Sequence, residues 1–325
     1  MRRLPIAILF AILGFTGSVQ ADEPIKIVVP FAAGGPVDTM ARLLAAEMQP
    51  LLGTTVVVED RGGAGGVIAT DMVARAPADG KTLLMASQGS HVISAIVQPN
   101  VKYDPAKSFQ AIAMVGHVPM LLVVNPKLPA ADFKALIALA KTQKMTYGSA
   151  GVGTVMNIAG ELINSGAKVN ITQIPYRGVA PALPDLMAGR LDLLPADPPV
   201  LLPLVQAKTV RPMVVFGRER LVSLPDIPTT VELGYPDMIM ENWYGLLAPA
   251  GTPADVAAKL EKAALAAINS PKIQEHMKSG ELRGTLNSKQ FQARIESDTA
   301  FWRPMIKKLG ISIEGAAVAP APAPK

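Results

Sequence analysis

An α/β fold in two lobes is predicted by three observations. Short β-rich runs alternate with helical patterns from residue 25 to residue 217, the rhythm of sheets in which a strand is followed by a crossover helix. No long Gly/Ser linker interrupts the chain, so its parts are joined by direct crossings, expected near 122–125 and 241–247, and two crossings make a hinge. With no cysteine among 325 residues, the cores rather than disulfides hold the lobes together, and the chain is long enough to bury them.

The elements follow in order. Residues 1–21, MRRLPIAILFAILGFTGSVQA, place Arg2 and Arg3 before an apolar run and end in Val19-Gln20-Ala21, the layout of a cleavable secretory signal. The apolar stretch from Leu4 to Phe15 is short for a bilayer span, which argues against an uncleaved anchor. IKIVVP, TVVVED and TLLMAS read as strands, with helices over 38–52 and 66–76 between them. MLLVVNP and MTYGSA read as strands, followed by helices over 132–143 and 154–165. ITQIPY, LDLLPA and VRPMVVFG continue the pattern, separated by helices over 180–189 and 199–207. Past Trp243-Tyr244 the character changes to helices at 253–269, 271–279 and 288–309 with little strand signal. The division expected is residues 22–122 plus 245–315 for one lobe and 123–244 for the other. The tail, 316–325, is rich in alanine and proline and reads as disordered.

Charge and motif spacing exclude several functions. Cleavage after Ala21 removes two arginines and no acid, so the formal charge of +5 becomes +3, mildly basic. Lysines and arginines are scattered and aromatics sparse, without the basic runs and stacking residues that hold nucleic acid. His91, His117 and His276 lie far apart with no metal-ligand spacing, so no metal and no cofactor are expected. No GxxxxGK[ST] is present. Gly151-Val152-Gly153 begins a GxGxxG but meets Met156, and Gly148-Ser149-Ala150-Gly151 misses the GxSxG spacing of a nucleophile elbow.

Two stretches share one build. VVPFAAGGPVDTMARLL (28–44) and MTYGSAGVGTVMNIAGEL (145–162) each run from a strand through a loop of small residues into a helix. Such loops expose backbone N–H groups at a helix N-terminus, where an anion sits, and Asp38 and Thr154 occupy cap positions. Either loop taken alone reads first as an ordinary β–α turn.

Five segments carry a family resemblance: IKIVVPFAAGGPVDTMARLLAAEM, VVVEDRGGAGGVIATDMVARAPADGKTLL, YGSAGVGTVMNIAGEL, IPYRGVAPALPDLMAGRLDLLPAD and LPDIPTTVELGYP. In order and spacing, over about residues 25 to 315, the chain resembles the Bug (TctC-like) family of periplasmic solute-binding proteins for tripartite tricarboxylate transporters. The resemblance implies a two-lobed, type II-like periplasmic-binding-protein fold, each lobe a mixed sheet flanked by helices, closing on a small organic carboxylate without chemistry. It implies that Phe31, Ala33, Gly34, Gly35 and Asp38 from the first loop, and Ser149, Gly151 and Thr154 from the second, form the ligand site, mainly through backbone N–H groups. Asp38 fits a loop-ordering cap better than a direct contact, since two carboxylates repel. Ser87, Gln88 and Ser90 are candidates for the distal end of the ligand. Tyr176 and Arg177 match the family's PY[KR]G-type turn as a distal anion contact, and Asp197 faces the cleft from a strand's C-terminal end. Asn157 stands where the family often has histidine.

The function expected is a monomeric periplasmic binding protein that delivers its carboxylate to membrane permease subunits. A binding protein feeding a signalling receptor is the second reading and an exported hydrolase the third. Neither nucleic acid nor catalysis is expected.

Overall fold

A computed structural model describes residues 23–311. The signal peptide read over 1–21 and the tail read over 316–325 lie outside the described residues.

The chain begins with β1 (Ile25–Val29), α1 (Pro36–Leu52), β2 (Val56–Asp60), α2 (Val67–Ala74) and β3 (Thr82–Ser87). A π-turn over Gly89–Ile93 leads into the short α3 (Ser94–Val97) and then β4 (Phe109–Pro119). The next stretch holds β5 (Leu121–Val124), α4 (Phe133–Ala140), β6 (Thr146–Ser149), α5 (Val155–Ala167) and β7 (Thr172–Pro175). It continues through α6 (Leu183–Ala188), β8 (Leu193–Ala196), α7 (Pro198–Gln206) and β9 (Arg211–Val215). Last come β10 (Glu241–Pro249), α8 (Ala254–Ile268), α9 (Pro271–Ser279) and α10 (Ser288–Leu309).

These strands form two five-stranded sheets of one plan, ordered β2-β1-β3-β10-β4 and β7-β6-β8-β5-β9. In the first, β1 is parallel to β2 and β3, while β10 runs antiparallel to β3 and β4. In the second, β6 is parallel to β7 and β8, while β5 runs antiparallel to β8 and β9.

Local chemistry explains the elements that reach the cleft. In β1, Ile27, Val28 and Val29 are fully buried, as expected of a strand covered by helices on both faces. Proline at the first helical position of α1 supplies a preset φ where its missing N–H costs nothing, and Gly53 ends the helix in the left-handed region at φ 71°. Between these ends Met40, Leu44 and Met48, spaced by four, face the core beside α8. In α5 the Thr154 hydroxyl caps by accepting the Asn157 N–H at 3.4 Å.

The chain passes between sheets at other residues than the sequence suggests. The first passage falls at Met120, between Pro119 of β4 and Leu121 of β5, and the return falls between Val215 and Glu241. Residues 122–125, expected as a crossing, fall mostly in β5, and residues 241–247, expected as the other crossing, belong to the strand β10. The boundaries drawn at 122/123 and 244/245 therefore cut strands. β4 is a strand that the sequence reading lacks. Both long strands are buried along nearly their whole length and carry register shifts where they pair, at Tyr244/Gly245 and Leu246/Leu247, so neither shows the alternation that marks a strand in sequence.

Candidate functional site: a cavity between the two sheets

Four parallel strands point their C-terminal ends at one place. β1 and β3 of the first sheet and β6 and β8 of the second lead into loops or helices around a cavity of about 40 Å³. A single buried water needs about 10–15 Å³ by this measure, so the space suits a few waters or a compact polar group.

Helix starts dominate the wall. Pro36 and Val37 of α1, Val155 and Met156 of α5, and Asp197 at the cap of α7 all line it. No side chain caps α1, and Pro36 has no N–H, so the orphan donors there belong to Val37 and Asp38. Thr154 takes only the Asn157 N–H of α5, which leaves those of Val155 and Met156. The start of α7 differs: Pro198 and Pro199 have no N–H, so this helix brings its dipole without free donors in its first two positions. The remaining wall is apolar, from Phe31, Ala32, Ala150, Val179 and Ala196, or uncharged polar, from Ser87, Thr154 and Asn242. No lysine, arginine or histidine lines the cavity. An anion held here is held by backbone N–H groups and helix dipoles.

Asp197 is the one charged side chain of the wall, and it ties the two sheets together. Its Oδ2 accepts from Tyr244 Oη at 2.6 Å and from Asn242 Nδ2 at 2.8 Å, both on β10 of the first sheet. Its Oδ1 is buried without a hydrogen-bond partner. Burial pushes the Asp197 carboxyl up to about 6, against the two hydrogen bonds, which lower it. The Tyr244 hydroxyl, buried and beside this carboxylate, is raised far above its ordinary value.

Other contacts close the cleft. The Ala32 N–H donates to the Arg177 carbonyl at 3.1 Å, and Ser94 Oγ lies 2.9 Å from the Gly65 carbonyl and 3.2 Å from that of Gly153. Beneath the cavity three segments are laced together where the chain changes sheets. Met120 N–H donates to Met240 O, Met240 N–H to Phe216 O, and Phe216 N–H to Met120 O, at 2.9, 3.1 and 2.8 Å.

Of the residues singled out in sequence, Phe31, Gly35, Ser87, Thr154 and Asp197 line the cavity. The others lie elsewhere for reasons visible in their contacts. Ala33 and Gly34 are exposed on the outer side of the first loop. Asp38 is buried as an organiser of that loop, its carboxylate accepting the Gly34 N–H at 2.8 Å and pairing with Arg42 at 2.7 Å. Gln88 turns away and donates to Asp298 at 2.8 Å. Ser90 is paired with Ser87 in a tight turn after β3. Ser149 Oγ accepts from Gln173 Nε2 and from the Gly151 N–H, so it is occupied within its own loop. Gly151, at φ 111°, sits where a Cβ would stand 3.3 Å from the Gly65 nitrogen, at the contact between the loops of the two sheets. The Tyr176 hydroxyl donates to Asp185 at 2.7 Å, and the Arg177 side chain is exposed while its carbonyl makes the closing contact with Ala32. Asn157 is inside α5, accepting the Gly153 N–H and donating to Tyr147, and does not line the cavity.

Sequence reasoning missed Ala32, Pro36, Val37, Ala150, Val155, Met156, Val179, Ala196 and Asn242. Most are neighbours of residues it named and lie in the two loop–helix units. Asn242 had no signal, because its role comes from where β10 returns beside α7. Among the described residues no group of histidine, aspartate and glutamate is arranged to hold a metal ion, and no helix is long and apolar enough to cross a membrane.

Comparison with known proteins shows the family and the fold. Residues 40–311 match the family described as "Tripartite tricarboxylate transporter family receptor". The structure of the periplasmic binding protein BugD superposes with a TM-score of 0.85 at 36% identity, over 89% of this chain and 98% of that one. MatC from Rhodopseudomonas palustris with bound malate gives 0.82 at 30% identity, over 87% and 98%. A second R. palustris protein, solved with adipate, gives 0.84 at 32% identity, over 89% and 98%. The fold is that of the periplasmic binding proteins, α/β with two mixed sheets flanked by helices.

Proposed function

The chain belongs to the tripartite tricarboxylate transporter receptor family, and on that premise we propose that it is a periplasmic binding protein that captures a small organic carboxylate between its two lobes. One observation carries this reading: orphan N–H groups from the first turns of α1 and α5 border a buried cavity that contains no cationic side chain. Relatives solved with malate and with adipate support a carboxylate. The layout of Arg2, Arg3, the apolar run and Val19-Gln20-Ala21 supports export. The same premise supports delivery of the acid to membrane permease subunits. The site has no nucleophile–base pair, and the bound acid leaves unchanged.

A thermal-shift screen of aliphatic and aromatic carboxylates tests the proposal. An acid at 100 times its dissociation constant stabilises the folded chain by about 2.7 kcal/mol, a shift readily read in a melting curve. Stabilisation by amines or sugars, with no response to any carboxylate, refutes it.

A further inference from the structure

The cavity wall is chemically two-sided. One side offers donors, the first-turn N–H groups of α1 and α5. The other side presents acceptors that lack partners: Asp197 Oδ1 and Asn242 Oδ1 are both buried and unpaired, in residues 5% and 2% exposed that line the cavity. The Asn242 amide cannot be turned to relieve this. Its Nδ2 is held at 2.8 Å by Asp197 Oδ2, and reversing it would bring two oxygens together. Nor can Asp197 turn, because Tyr244 and Asn242 both hold Oδ2. Buried acceptors of this kind are satisfied by a donor or they cost free energy.

We propose that the ligand is a donor-bearing acid, a hydroxy or amino acid whose hydroxyl or ammonium group lies close to its carboxylate and donates to Asp197 Oδ1 and Asn242 Oδ1. This rests on the reading of the cavity as a carboxylate site. The carboxylate faces the helix N-termini and the donor faces the acceptor pair, so Asp197 selects among acids of one carbon skeleton. At neutral pH Asp197, lifted to about 6, is mostly ionised and has no proton to give. An acid without a donor leaves both oxygens unsatisfied and sets its own charge beside a carboxylate. Hydroxyl and ammonium donors differ in one respect, because the ammonium also neutralises Asp197.

The experiment is isothermal calorimetry at pH 7.5 on matched acids: propionate, lactate and alanine; succinate, malate and aspartate; glutarate, 2-hydroxyglutarate and glutamate. On whichever skeleton binds, the hydroxy or the amino acid is expected to bind at least roughly tenfold tighter than the plain acid, the scale of leaving a buried polar group unpaired. Comparison within a set shows which donor the protein uses. The second arm is Asp197→Asn, which keeps an oxygen for Tyr244 and Asn242 and places an amide N–H where Oδ1 stands. This variant is expected to lose the preference and to bind the plain acid as tightly as the donor-bearing one, or more tightly. Equal binding of plain and donor-bearing acids by the natural chain, or an unchanged ratio in Asp197→Asn, overturns the inference and leaves the carboxylate reading intact. Failure of all nine acids overturns the inference alone; the carboxylate reading falls only if the wider screen of aliphatic and aromatic acids also gives no response.

Discussion

At the scale of single residues, Asp197 ties stability to pH. Its carboxyl titrates near 6 in the folded chain and near the ordinary 3.8 when unfolded, so between those values the folded state holds the extra proton. Stability therefore falls as pH rises through about 4 to 6 and is level beyond, the reverse of a salt-bridged carboxylate. Asparagine mimics the protonated form. Asp197→Asn is expected to match the natural chain near pH 4 and to exceed it by on the order of 3 kcal/mol above pH 6, read by urea unfolding at both pH values. A constant difference across that range refutes the argument. Gly35 makes a second case. At φ −82° its backbone suits any residue, and a Cβ there would meet Ala32 O at 3.6 Å and Val179 Cγ1 at 3.7 Å, ordinary contacts. The left-handed residue is Gly34, at φ 80°. Gly35→Val is thus expected to fold normally and to lose binding because its methyl groups enter the cavity, measured by circular dichroism beside calorimetry. Full-strength binding refutes it.

At the scale of elements, close packing outweighs helix propensity. Gly160 lies inside α5, where alanine is ordinarily better by about 1 kcal/mol. A Cβ at that position would stand 2.3 Å from the Tyr147 ring, whose hydroxyl is pinned by Glu161 at 2.6 Å and Asn157 at 2.9 Å. The ring cannot yield without breaking those bonds. Gly160→Ala is expected to lower stability by about 1–3 kcal/mol in thermal or urea unfolding, the overpacking cost exceeding the propensity gain. A more stable variant shows that the ring moves. The helix α10 is docked in a different way. Asp298 accepts from Trp243 Nε1 at 2.7 Å, Gln88 at 2.8 Å and Arg294 Nε at 2.8 Å, fixing α10 across β10 and the turn after β3. Gln88, which the sequence offers as a distal ligand contact, is spent on that joint.

At the scale of the molecule, closure and binding share contacts. Tyr244 and Asn242 reach from the first sheet to Asp197 on the second, and Ala32 and Arg177 meet at the rim. If the sheets part about the Met120, Phe216 and Met240 crossing, those bonds break, and a ligand that touches both sheets, as proposed, adds its own contacts in favour of the closed form. Tyr244→Phe removes one hydrogen bond to a charged group, worth about 1.5–3 kcal/mol, and is expected to weaken binding by that order while the fold persists. Small-angle scattering of the unliganded variant should give a larger radius than the natural chain. Equal radii together with unchanged affinity would mean that Asp197 is no latch.

The part legible in the sequence is local and repeated: the α/β alternation and the two strand–loop–helix units at 28–44 and 145–162. These were legible because a helix start next to glycine and alanine is written in neighbouring residues. Phe31, Gly35 and Thr154 lie in those units and are named by the family resemblance they carry, whereas Asp197 follows from the rule that strand ends face the cleft of an α/β sheet, and Ser87 from its place after the strand TLLMA. The rest follows from how distant segments pack. β10 and β4 are buried over nearly all their length and leave no alternating pattern, so the place where the chain changes sheets was misplaced by a few residues. The pairing of Asp197 with Asn242 and Tyr244 joins positions 45 and 47 apart on opposite sheets. No local pattern records such a contact, because it exists only once β10 has crossed back beside α7 and the two sheets have come together.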